Sequence, residues 1–62
     1  MITVIMPCFN ASNSVARAIA SIQAQTLSDW ELIVIDDGST DGSADIADQF
    51  AREDSRIRLI RR

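Results

Sequence analysis

Asp36, Asp37, Ser39, Asp41 and Ser43 all fall within the ten residues "VIDDGSTDGS" (34–43), directly after the apolar Leu32 and Ile33. Carboxylates and hydroxyls gathered so densely can ligate a cation. Counted from Asp37, the side chains of Ser39, Asp41, Asp45 and Asp48, with Gly42 at the turn, follow the ligand spacing of an EF-hand calcium loop. Three features oppose that reading: Asp48 replaces the bidentate Glu, Ala44 is small, and "LIVI" enters where a helix is needed. The same residues can instead recognise a small polar ligand. With Gly38 and Gly42 permitting a tight turn, a carboxylate at a strand end can accept hydrogen bonds from a base N–H or from ribose hydroxyls. A purely structural alternative is that Asp, Ser, Thr and Gly cap a helix and shape a turn. On the loop's residues alone, all three readings stand.

The remaining composition removes whole classes of chemistry. No histidine is present, which excludes Ser-His-Asp and Cys-His arrangements and most zinc sites. Without a lysine there is no Walker-type phosphate loop. A formal net charge of -3 opposes general nucleic-acid binding, which depends on Lys and Arg neutralising phosphates. The one cysteine, Cys8, cannot form an internal disulfide, which points to a reducing compartment, the cytoplasm by default. No run approaches the roughly 20 apolar residues of a membrane span, and no basic segment precedes "ITVIM" as in a signal peptide. Cys8 reads as a small apolar filler and Trp30 as packing. The arginines at 56–62 read as a solvated edge, with phosphate contact as the alternative.

The elements that must position these residues are legible from periodicity. "ITVIM" (2–6), stopped by Pro7, reads as a strand buried on both faces. Val15, Ala18, Ile19 and Ile22 fall at helical spacing over 13–24, with Ser12 or Asn13 as N-cap. "QTLSDW" breaks that period, and "ELIVI" opens a second strand over about 31–36. Ala44, Ala47 and Ala51, with Ile46 and Phe50, predict a helix over 42–53 capped by Asp41, and Asp45 suits its dipole. "RIRLI" (56–60) predicts a strand near a sheet edge, where its arginines discourage further pairing. The order β-α-β-α-β in 62 residues predicts one small α/β domain, a three-layer Rossmann-like half unit with parallel strands and right-handed crossovers. Ligands of such sheets bind beyond the carboxyl ends of the strands, where both "PCFN" and "DDGSTDGS" lie.

Those two loops also carry a family likeness. "VIMPCFN", "SIQAQTLSDWELIVIDDGSTDGS" and "RIRLI", in this order and at these separations, resemble the N-terminal segment of the family 2 glycosyltransferases, inverting enzymes of GT-A fold. The resemblance covers nearly the whole chain. It implies the opening part of a nucleotide-sugar binding domain, with Pro7, Phe9, Asn10, Asp36 and Asp37 forming the nucleotide pocket. Phe9 would lie against the base and Asp37 would accept a base N–H, uracil being the commonest partner in the family. A ring offers stacking area and a carboxylate offers direction.

The resemblance further implies a divalent cation, Mg2+ or Mn2+, held by a DxD-type motif later in the family's sequence, and an acidic catalytic base later still. Neither set of ligands lies in residues 1–62, and "DDGSTD" belongs to the preceding strand end. The expectation is a truncated nucleotide-binding fragment, inactive alone in glycosyl transfer, with a nucleotide-sugar, UDP-linked in the first instance, as its ligand. A second expectation, from a different class, is a structural piece that self-associates through the unpaired edge of strand 2–6.

Overall fold

The computed structural model describes residues 1–25 and 29–62. In chain order the elements are β1 (Ile2–Cys8), α1 (Val15–Gln23), β2 (Trp30–Asp36), α2 (Ser43–Glu53) and β3 (Ile57–Arg61). The three strands form one sheet in the order β1-β2-β3, with both neighbouring pairs parallel. The α/β class, the alternation and the parallel sheet are as the sequence predicts. Of the "QTLSDW" break, residues 26–28 lie outside the described residues.

Both connections advance across the sheet in the same direction, so right-handed crossovers lay both helices on one face. Val15 and Ile19 from α1 and Ala47 from α2 close a single core with Cys8, Trp30, Leu32, Val34 and Ile57. Leu32 and Val34, in the middle strand, are fully buried. Each such aliphatic side chain contributes about 1.5–3 kcal/mol on leaving water. The sheet and this helical layer make two of the three layers of a Rossmann-like unit; among the described residues, no helix lies on the opposite face.

That arrangement corrects the expectation that β1 is buried on both faces. Ile5 is 61% exposed, because β1 is an edge strand and its odd-numbered side chains face away from the helices. It also explains why the strand runs through Pro7 to Cys8 and does not stop before the proline. Ile2 N–H donates to Asp29 O and Cys8 O accepts from Asp37 N–H. In a parallel ladder, the even residues of β1 therefore bond to β2, and Pro7's missing N–H falls on the outer edge, where no donor is required.

The helix starts shift for local reasons. Ser14 and Val15 both donate backbone N–H to Ala11 O (2.9 and 2.7 Å), forming a turn that delays α1 to Val15. The N-cap position belongs to Ser14, without a side-chain cap bond, and not to Ser12 or Asn13. At α2 the N-cap position is Gly42 at φ 86°, which glycine adopts at little cost, and not Asp41. Asp41 still does a capping residue's work from one position earlier: its Oδ1 accepts from Ser43 N–H (3.1 Å) and Ser43 Oγ (2.7 Å).

Candidate functional site

Parallel strands finish together, so the β1–α1 loop and the β2–α2 loop emerge side by side. Cys8 pairs in register with Asp36, and Asp36 with Arg61. Two bonds carry the ladder one residue further, from Asp37 N–H to Cys8 O (3.2 Å) and from Arg62 N–H to Asp36 O (2.9 Å). The next row therefore brings Phe9, Asp37 and Arg62 level across the carboxyl end of the sheet, with neighbours about 4.8 Å apart. All three, with Pro7, Cys8 and Ile35, line a cleft of about 410 Å³. Phe9 is 62% exposed and its ring is open to a ligand.

Beside the cleft, the two loops are tied by reciprocal hydrogen bonds. Asn10 N–H donates to Ser39 Oγ (2.9 Å), and Thr40 N–H donates to Asn10 Oδ1 (2.8 Å). Ser39 passes the chain on: its hydroxyl donates to Asp36 Oδ1 and its N–H to Asp36 Oδ2 (3.1 Å). Ser12 N–H, one turn along, donates to Asp41 Oδ2 (3.0 Å). Asn10 sits at φ 48°, a left-handed conformation that Asn tolerates better than most residues because its short amide bonds locally. Gly38, at φ 84°, makes the turn that brings Ser39 back over Asp36.

The carboxylates of the loop thus divide. Asp36 is 4% exposed, and the Ser39 hydroxyl holds its carboxyl below the ordinary range, outweighing the opposing effect of burial. Asp41 is held down to about 2, first by the Ser12 N–H and then by the Ser43 hydroxyl. Both remain charged at neutral pH and are committed to bracing. Asp37 is exposed and directed into the cleft.

Of the five residues the sequence singles out, Pro7, Phe9 and Asp37 meet in the cleft. Asn10 and Asp36 do not line it; they hold the loops that do. Arg62, Cys8 and Ile35 line it as well and were not selected from the sequence. A parity count from Pro7 along the register would have found Ile35 and Arg62. Trp30 is buried in the core, as expected.

The calcium loop fails on the fold. Its entering segment is strand β2, α2 already begins at Ser43, and Asp41, Asp45 and Asp48 bond to Ser12 and Ser43, to Arg61 and to Arg52 respectively. Among the described residues, no group of three or more Asp, Glu, Cys or His side chains is arranged to hold a metal ion. The described residues offer no such group for the cation implied by the resemblance.

The chain matches the family described as Glycosyl transferase family 2 over residues 3–62. It is 40% identical over 60 residues to the uncharacterized glycosyltransferase EpsJ of Bacillus subtilis (strain 168), covering 97% of this chain and 17% of that protein. Identity to the glycosyltransferase GlyG of Streptococcus pneumoniae serotype 4 (strain ATCC BAA-334 / TIGR4) is 37% over 60 residues, covering 97% of this chain and 20% of that protein. To the UDP-Glc:alpha-D-GlcNAc-diphosphoundecaprenol beta-1,3-glucosyltransferase WfgD of Escherichia coli it is 38% over 60 residues, covering 97% and 23%. The chain spans about a fifth of the length of these curated relatives.

Proposed function

This chain belongs to glycosyl transferase family 2, and we propose that it forms the base-binding end of a nucleotide-sugar site serving transfer of a sugar from a nucleoside diphosphate to an acceptor hydroxyl. The observation that carries this reading is the meeting of Phe9 and Asp37 in one cleft beyond the carboxyl ends of parallel strands, where such sheets take their ligands. Phe9, Pro7 and Ile35 supply apolar area for a base and Asp37 accepts its ring N–H. Asn10 and Asp36 act through the loops, keeping Phe9 and Asp37 at a fixed separation. Uridine is the proposed nucleoside; the donor in WfgD's name, UDP-Glc, supports it.

In the proposed whole enzyme, a divalent cation, Mg2+ or Mn2+, steadies the departing diphosphate and an acidic base deprotonates the acceptor. As part of the same proposal, residues 1–62 on their own bind the nucleotide weakly and transfer no sugar. Among the described residues, no helix is long and apolar enough to cross a membrane. Cytoplasmic residence accompanies the proposal, supported by the free, buried Cys8.

Titration of UDP into the isotopically labelled chain tests the reading by NMR. Amide shifts are expected at Phe9 and Asp37 and along 37–40, and a spectrum without them would sink it. A second reading, self-association, is favoured by the unpaired outer edge of β1 and the exposure of Ile2 and Ile5. Sedimentation should then give a dimer or larger species at high concentration. A monomer throughout rules that reading out.

A further inference from the structure

Resting on the nucleotide reading above, we propose that Arg62 is a specificity residue that takes the base carbonyl next to the ring N–H held by Asp37, so that the pair selects a lactam base such as uracil over an amidine base such as cytosine. The row across the sheet end carries the argument. The register brings Arg62 level with Asp37 on the adjacent strand extension, and both side chains line the same cleft as Phe9. Of the chain's five other arginines, Arg52 is paired with Asp48, Arg56 with Asp54 and Arg61 with Asp45, and neither Arg17 nor Arg58 lines the cleft. Among the described residues, the Arg62 guanidinium makes no ion pair.

The chemistry of the two groups is complementary and directional. An ionised carboxylate only accepts hydrogen bonds, and a guanidinium only donates them. Side by side, about one strand spacing apart, they match a ligand edge in which a donor N–H adjoins an acceptor C=O. Uracil presents that edge. Cytosine presents a bare ring nitrogen beside an amino group, which would set lone pair against carboxylate and N–H against guanidinium. Mismatching both positions is a stronger barrier than losing either bond, because each leaves a charged group desolvated without a partner.

The experiment titrates uridine, cytidine and UDP separately into the labelled chain and into Arg62→Gln, whose exposed position leaves the fold's amide spectrum intact as a control. Wild type is expected to prefer uridine to cytidine, and Arg62→Gln to weaken uridine about tenfold and remove most of that preference. Unchanged uridine binding by Arg62→Gln, with binding abolished by Asp37→Asn, overturns the proposal and leaves the nucleotide reading standing. Loss of UDP affinity with uridine unaffected also overturns it, by assigning Arg62 to phosphate. Failure of the wild type to bind uridine or UDP removes the nucleotide reading and this proposal together.

Discussion

The two ends of the sheet are built on opposite principles. At the end where the strands begin, Arg56 lies 3.9 Å over the Trp30 ring and forks onto Asp54 through Nε (3.1 Å) and Nη2 (3.0 Å). Asp54 also accepts from Arg56 N–H (3.0 Å) and from Gln23 Nε2 (3.1 Å), so α1, β2 and the α2–β3 turn are locked around one carboxylate. The Asp54, Arg56 and Gln23 groups that bond here are taken up by the protein itself, while the buried Trp30 Nε1 has no hydrogen-bond partner among the described residues. Where the strands finish, Asn10, Ser39, Asp36 and Asp41 are equally consumed, but Phe9, Asp37 and Arg62 are left facing a cleft. The difference separates residues that hold the fold from residues available to a ligand. It does so among side chains of the same chemical types.

The contrast can be broken most violently at the locked end. Trp30→Ala removes a buried indole and the platform under Arg56, and a loss of about 3–5 kcal/mol is expected. That is comparable to the whole stability of a domain this small, so the far-ultraviolet circular dichroism should report an unfolded chain. Asp37→Ala at the open end should leave the thermal midpoint within measurement error and abolish UDP-induced shifts, as befits an exposed side chain the fold does not use. Equal destabilisation by both substitutions would erase the distinction.

Asn10 sharpens it at the next level. Asn10→Ala loses the bond to Thr40 N–H and strains a left-handed backbone, costing about 1–2 kcal/mol in urea unfolding. Asn10→Gly should recover most of the backbone part of that loss. Either variant should also weaken the ligand, because the loops carrying Phe9 and Asp37 are no longer tied.

Acid offers a gentler probe. Asp41 is held at about 2 in the folded chain, while an unperturbed carboxyl titrates near 3.8. Its contribution is therefore complete above about pH 4 and fades as pH falls towards 2; Asp36 and Asp54 are shifted in the same direction. Urea midpoints should fall across that window, and Asp41→Asn should flatten the fall. At the small end of the scale, Asp45→Ala breaks an exposed ion pair with Arg61 (3.3 Å), and a change of no more than about 0.5 kcal/mol is expected.

How much of this was legible beforehand varies with the kind of contact. The alternation of strand and helix followed from local periodicity: Val15 and Ile19, then Ala44 and Ala47, face the core at the spacing that betrays them. Helix starts were off by one or two residues, because the Ala11 turn and the backward reach of Asp41 depend on bonds no propensity contains. Pro7 looked like a stop because its harmlessness depends on being at an edge. Asn10 and Asp36 stand in the right loops, yet Asn10's part in bracing exists only where two loops 29 or 30 residues apart in sequence touch, whereas Asp36 closes a local turn on Ser39.

What the sequence determined unaided was the order of elements, the parallel sheet they imply, and the placing of two polar loops at its carboxyl end, since these follow from side-chain periodicity and chain connectivity. Whether Asp36 or Asp37 would face the cleft was decided only in three dimensions. Successive side chains on a strand point to opposite faces, and "ELIVI" is apolar on both, so nothing within β2 says which face the helices take. Packing of Val15, Ile19 and Ala47 against Leu32 and Val34 settles it. One aspartate is thereby turned inward to Ser39, and its neighbour outward beside Phe9 and Arg62.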